Sequence, residues 1–205
     1  MKLQVSSSPH TRDLATTRRL MLDVVIALCP ALIAAVIYFG YRALAITAAS
    51  VGSALLFEWA SRRAMKRPQT IGDFSAVITG LLVAFNMPAS VPIYIPIIGS
   101  LIAIVVVKQM FGGLGNNFVN PALAARIVLT ISFPAAMTAF VARPAGDTSI
   151  LAIDLVSSAT PLNLLRFSPD LPNYLDLLLG NGKAGCIGEI SILALLIGAA
   201  YLLVR

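Results

Sequence analysis

The feature that most constrains this chain is the recurrence of apolar runs long enough to cross a bilayer, the first being LMLDVVIALCPALIAAVIYF at positions 20–39. An α-helix needs roughly 20 such residues to span the hydrocarbon core. In lipid, backbone amides must be paired within a helix or around a closed barrel. The alternating pattern of barrel strands is absent, so the runs read as helices. Of the 205 residues, 58% are hydrophobic and 12% charged, with mean hydropathy +0.88. A soluble domain of this size has too little interior to hide that much apolar surface. The fold class is all-α, a polytopic membrane protein.

Six helices are expected, over positions 20–39, 43–60, 71–87, 92–110, 121–141 and 187–204. They divide the chain into a tail (1–19), a five-helix transmembrane half (20–141), a long polar loop (142–186) and a sixth helix (187–205). Pro30 should bend the first helix, which membrane helices tolerate when neighbours re-pair the freed carbonyl. TTRRLML at 16–22 has a twin-arginine look, but the long apolar run after it suits a start-transfer helix better.

Charge sets the expected orientation. With the N-terminus cytoplasmic, the inside holds every Lys and Arg except Arg42, Arg143, Arg166 and Lys183. Lys108 and Arg126 are counted there as part of the link between helices 4 and 5. Positive-inside then places the long loop, with Asp147, Asp154, Asp170 and Asp176, on the outer face of the membrane. The net charge of +6 follows from basic residues flanking the spans. No aromatic residues interleave them, which argues against nucleic-acid binding.

The residue inventory excludes other chemistries. Cys29 and Cys186 lie far apart and His10 is the single histidine, so no protein-only zinc site is expected. Three acids lie in or near spans, where a charge is costly and signals a function or a partner: Asp23, Glu58 and Glu189. Each falls within a turn or two of an expected helix end, so interfacial anchoring is the ordinary reading, most of all for Glu58. Asp23 is also a candidate for an ion path.

Two segments carry more information. In FGGLGNNFVNPA (111–122), Gly112, Gly113 and Gly115 admit backbone conformations closed to other residues. Asn120 is a suitable N-cap and Pro121 a suitable first helical residue. This is either a capped turn or a broken helix lining a site, with Gly112, Gly113, Asn116 and Asn120 as the candidate lining. The second segment is DLVSSATPLN (154–163). Pro161 pushes Thr160 toward extended backbone and presents its hydroxyl. A hydrolase would need a nearby base and an orienting partner, and no histidine is at hand. That leaves a modification site or an ordinary polar loop.

DLVSSAT (154–160) resembles the flavin-transfer pattern D-x-x-(S/T)-G-A-(S/T), with Ser158 where glycine is usual. TTRRLMLDVVIALCPAL, IGDFSAVITGLLVAFNMP, FGGLGNNFVNPA, SSATPL and GCIGEISILALLIGAAYLL resemble, in order, segments of the RnfD/NqrB family. Its members are integral membrane subunits of the ion-pumping Rnf (ferredoxin:NAD) and Nqr (NADH:quinone) complexes, and the short tail resembles the RnfD side. The resemblance implies FMN joined to Thr160 by a phosphodiester, with Asp154, Ser157 and Ser158 placing the phosphate, Ala159 beside the attachment point as part of the pattern, and Leu162 near the ring. Gly188 and Glu189 open the sixth helix, where backbone N–H groups suit an anion, though the Glu189 carboxylate would oppose a phosphate. The resemblance also implies a noncovalent riboflavin, sodium or proton translocation, and a flavin transferase for maturation. Its implied partners are membrane lipid, a second covalent-flavin subunit and iron–sulfur membrane subunits. Family members have about ten helices in two inverted halves, so this chain is expected to be a portion lacking most of the second half. The competing readings are a small-solute channel built on broken half-helices and a structural scaffold.

Overall fold

The computed structural model describes residues 16–143, 156–164 and 173–205. Helix α1 (Thr17–Phe39) is capped by the Thr16 hydroxyl and runs unbroken through Pro30. Helix α2 (Tyr41–Ala64) follows after Gly40 alone. These two are long and apolar enough to cross a membrane. Helix α3 (Ser75–Phe85) follows a 3-10 turn (Ile71–Asp73). Helix α4 (Tyr94–Leu101) passes directly into a π-helical segment (Ile102–Gln109). Then come α5 (Pro121–Ser132) and the short α6 (Pro134–Thr138). A two-residue antiparallel pair joins β1 (Val141–Ala142) to β2 (Val156–Ser157), with Val141 opposite Ser157. Short α7 (Pro161–Leu164) and α8 (Tyr174–Leu179), a 3-10 turn (Ile187–Glu189) and α9 (Ile192–Val204) complete the described chain.

Several elements are shorter than the sequence pattern predicts, for local reasons. The run at 71–87 becomes a turn and an 11-residue helix. Asp73 Oδ1 accepts from the Ser75 amide at 2.9 Å, and Phe74 adopts positive φ, which fixes where α3 starts. Pro88 disfavours helix at Met87 and ends it. The run at 121–141 breaks before Pro134 in the same way. Helix α2, by contrast, extends past the expected end at 60 through Arg62 and Arg63, stopping where Lys66 turns to positive φ.

The packing is that of a membrane helix bundle. On α1 the buried residues Asp23, Ala27, Ala31, Ala35 and Phe39 fall four apart, forming one narrow face. That face receives α9, where Gly198 sits so close to the Ala27 carbonyl that any Cβ would collide with it. Small residues at such crossings let backbones approach, which drives helix association in lipid. The buried face of α2 is polar, with Thr47, Ser50, Ser53, Glu58, Ser61 and Arg62, while Leu44, Leu56 and Trp59 point outward. This reverses the pattern of a water-soluble helix. Ser50 Oγ donates to Gly80 O at 2.8 Å and Ser100 Oγ donates to Ser50 O at 2.9 Å, tying α2 to α3 and α4. In the irregular segment between α3 and α4, Met87, Ala89 and Val91 are buried. Met87 O there accepts the Ile187 amide at 2.9 Å, pairing a buried carbonyl as backbone away from water requires.

Candidate functional site: a sealed ion pair beside a cavity

Asn120 Oδ1 accepts from the Ala122 amide at 3.0 Å and Pro121 is the first helical residue, the capped restart expected for α5. Ahead of it, Gly112 (φ 110°) and Gly113 (φ 98°) turn the chain through the left-handed region. A Cβ on Gly113 would stand 2.8 Å from Arg62 Nη2, and one on Gly112 would stand 2.9 Å from Asn116 Nδ2. The folded loop closes one side of a cavity of about 370 Å³. Ser75, Thr79 and Leu82 of α3, Lys108 of the π-helical segment, and Asn117, Phe118 and Asn120 of the loop line it. Asn120 therefore does belong to a cavity wall. Gly112, Gly113 and Asn116 shape the loop without lining the cavity. Asn117 Oδ1 is a buried acceptor with no donor among the described residues.

Behind this wall lies a group of charges whose meeting the sequence does not reveal. Lys108 Nζ donates to Glu58 Oε2 at 2.6 Å and to Ser75 Oγ at 2.6 Å. Thr70 Oγ1 donates to Glu58 Oε1 at 2.7 Å, and Ser75 Oγ donates to Asp73 Oδ1 at 2.6 Å. The Glu58 side chain is 0% exposed and that of Lys108 2%. Glu58 is thus no water-facing anchor: the end of α2 is six residues on, but the carboxylate is enclosed by Lys108, Thr70 and the surrounding helices. Lys108 stands in the last turn of the π-helical segment with its ammonium buried, and Arg126 sits mid-α5 with Nη1 2.9 Å from Asn86 Oδ1. The one signal in the sequence was opposite charges embedded in two separate apolar runs.

The other predicted residues are placed as follows. Asp154 lies outside the described residues. Ser157 sits in β2, and the Ser158 amide donates to Phe140 O at 3.1 Å, so the segment is anchored to the end of the five-helix region. Ala159 and Leu162 are exposed and Thr160 is half-buried. The Thr160 carbonyl accepts the Asn163 amide at 2.9 Å. Among the described residues nothing bonds its hydroxyl, which leaves that oxygen available for a covalent bond. Gly188 packs against Phe85 Cβ too closely for any side chain. Glu189 Oε1 accepts the Cys186 amide at 2.8 Å, and the Ile187 amide goes to Met87 O. The amides of Cys186 and Ile187 are therefore committed within the chain rather than offered to an anion. Burial, with the Glu189 carboxylate adding to it, pushes the Cys186 thiol up to about 11, so it stays neutral. Asp23 is buried, accepting from Tyr201 Oη at 3.1 Å and pairing with Arg205 Nε at 3.4 Å, which binds α1 to α9.

Outward apolar faces, a helical bundle and a buried charged pair beside a cavity are the features of a membrane protein with a polar site among its helices. The profile of the NQR2, RnfD, RnfE family matches residues 4–205, and the chain belongs to that family. It is 49% identical over 208 residues to a subunit of a Na(+)-translocating ferredoxin:NAD(+) oxidoreductase complex from Acetobacterium woodii, covering all of this chain and 63% of the relative. It is 36% identical over 211 residues to the corresponding subunit of a proton-translocating ferredoxin:NAD(+) oxidoreductase complex from Clostridium ljungdahlii, covering 98% of this chain and 62% of the relative. With the corresponding subunit of an ion-translocating oxidoreductase complex from Rhodobacter capsulatus, identity is 37% over 225 residues, covering 97% and 62%. The chain spans less than two thirds of the length of these curated relatives.

Proposed function

We propose that this chain is part of an electron-transfer subunit of a membrane ion-translocating ferredoxin:NAD(+) oxidoreductase complex. The relatives named as subunits of such complexes support this. The single observation that carries the cofactor reading is the Thr160 hydroxyl, which has no partner among the described residues and is held on a segment tied by β2 and Phe140 to the helical region. FMN is the group it would carry, as a phosphodiester, on the outer face of the cytoplasmic membrane. Ser157, Ser158 and Ala159 flank the attachment point, Asp154 completes the recognition pattern, and exposed Leu162 offers an apolar contact. A flavin transferase makes the bond. The attached flavin supplies one- and two-electron chemistry. The chain supplies tether, orientation and spacing.

A second, noncovalent flavin, riboflavin, would sit in the cavity lined by Asn117 and Asn120. In this reading the described helices belong to about six spans of a ten-helix inverted-repeat subunit, with the N-terminus cytoplasmic. The partners are membrane lipid, iron–sulfur membrane subunits and a second covalent-flavin subunit.

The test is coexpression with a flavin transferase followed by in-gel fluorescence and intact mass. A fluorescent band in the wild type that is lost in Thr160→Val is the expected result. A dark wild-type band of unmodified mass refutes the attachment.

A further inference from the structure

Two further cavities stand in line along one stripe of α1. An apolar groove of about 300 Å³ is lined by Val25, Cys29 and Leu32 of α1, Ala48 and Val51 of α2 and Val77 of α3, among others. A cavity of about 250 Å³ at the start of α1 is lined by Thr16, Arg18, Arg19, Leu22 and Phe74. Arg18, Leu22, Val25, Cys29 and Leu32 are spaced four, three, four and three residues apart, which is one face of a helix. On the α3 side, Phe74 of the basic cavity and Val77 of the groove are one turn apart. The face of α1 that receives α9, with Asp23, Ala27 and Ala31, is the opposite one.

The two ends of this stripe differ in chemistry. The polar side-chain atoms in the groove are already used. Cys29 Sγ donates to Val25 O at 3.3 Å and Thr47 Oγ1 to Ala43 O at 2.8 Å. The rest of the lining is aliphatic, so a ring bearing carbonyl oxygens finds no donor there, whereas a hydrocarbon chain needs none. At the other end the Arg18 guanidinium lies over the Phe74 ring, 5.6 Å from its centroid. Among the described residues neither Arg18 nor Arg19 has a carboxylate within 4.0 Å. Asp23, one turn along the helix from Arg19, is engaged by Tyr201 and Arg205. Two exposed guanidinium groups beside a cavity call for an anion, and guanidinium matches phosphate in shape as well as charge.

We propose that this stripe binds one anionic phospholipid, with its phosphate at Arg18 and Arg19 and one acyl chain lying in the groove as far as Leu32. The dimensions agree. At 1.5 Å rise per residue, Leu22 to Leu32 spans about 15 Å, half of a hydrocarbon core about 30 Å thick. The chain therefore occupies one leaflet, the one on the Arg18 side. Basic pockets between membrane helices are known to select anionic headgroups. A helix from a neighbouring protein suits the groove less well. A cylinder about 10 Å across and 15 Å long displaces roughly 1,000 Å³, about three times the groove's volume. The lipid fills the space between α1 and the α2–α3 pair, and so holds α1 from the side that α9 does not touch.

Photocrosslinking of the full-length protein, in the assembly in which it is purified, tests this. The probe is phosphatidylglycerol with a diazirine midway along one chain, in phosphatidylcholine liposomes. Peptide mapping should find the label on groove residues such as Val25, Cys29, Ala48 or Val77. Unlabelled phosphatidylglycerol should displace it and added phosphatidylcholine should not. Arg18→Gln with Arg19→Gln should raise the phosphatidylglycerol needed for half displacement by about 30-fold. Arg18→Lys with Arg19→Lys keeps the charge and should lose far less. Ala48→Phe fills the groove with both arginines in place and should abolish the label by itself, an arm that does not depend on the arginine variants assembling. The inference is overturned if the groove takes no label, as when another part of the protein or a partner helix covers it. Equal displacement by phosphatidylcholine overturns it too, since the occupant is then ordinary boundary lipid. So does a label that persists unchanged in Ala48→Phe or in the double glutamine variant.

Discussion

Removing one member of the Glu58–Lys108 pair should damage the fold far more than removing both. The two side chains are 0% and 2% exposed, and their charged atoms are 2.6 Å apart. Lys108→Met leaves the carboxylate with the Thr70 hydroxyl at 2.7 Å and a guanidinium nitrogen at 4.0 Å. Glu58→Gln leaves the ammonium with the Ser75 hydroxyl. Breaking a buried pair from one side costs about 3–5 kcal/mol, because a charge stays behind without compensation. Replacing both partners by neutral side chains of similar size is often close to neutral. Each single variant should therefore lose about 3 kcal/mol or more, the double variant about 1 kcal/mol, and the cycle should show a coupling energy above about 2 kcal/mol. The assay is reversible unfolding in mixed detergent micelles for the four proteins. If the losses of the single variants add to that of the double within about 0.5 kcal/mol, the pair is not energetically coupled. The reasoning from its burial then fails.

Other outcomes follow from the same geometry. Gly198→Leu places a side chain against the Ala27 carbonyl. It should separate α9 from α1 and cost about 1–3 kcal/mol, read as a lowered unfolding midpoint and as loss of a crosslink between cysteines introduced on the two helices. Cys186 gives a pH dependence. Its thiol is held neutral, raised from 9.0 to about 11 in the fold. The stabilisation is thus complete below pH 9 and is lost as pH climbs through about 11. The wild type should lose stability relative to Cys186→Ala across that window, and parallel curves would contradict it.

The sequence determined the membrane-helical character, because hydrophobicity is additive along a run and needs no partner to be read. It also determined the capped start of α5, since Asn120 and Pro121 act on their own backbone. The helix end before Pro88 and the break at Phe133 were equally local, a consequence of the prolines that follow, though the apolar pattern concealed the second. The flavin-type pattern around Thr160 stood in the chain as a string of residue types. Only tertiary structure decided that Glu58 and Lys108 meet, since they lie on different helices fifty residues apart. A carboxylate within two turns of a helix end looks interfacial until its side chain is seen to be enclosed by neighbouring helices. Gly198 looked like any glycine in an apolar run until α1 was packed against it. Amphipathic patterns report which face of a helix is apolar. The partner of a buried charge is set by how helices cross, and that depends on close contacts between residues remote in the chain.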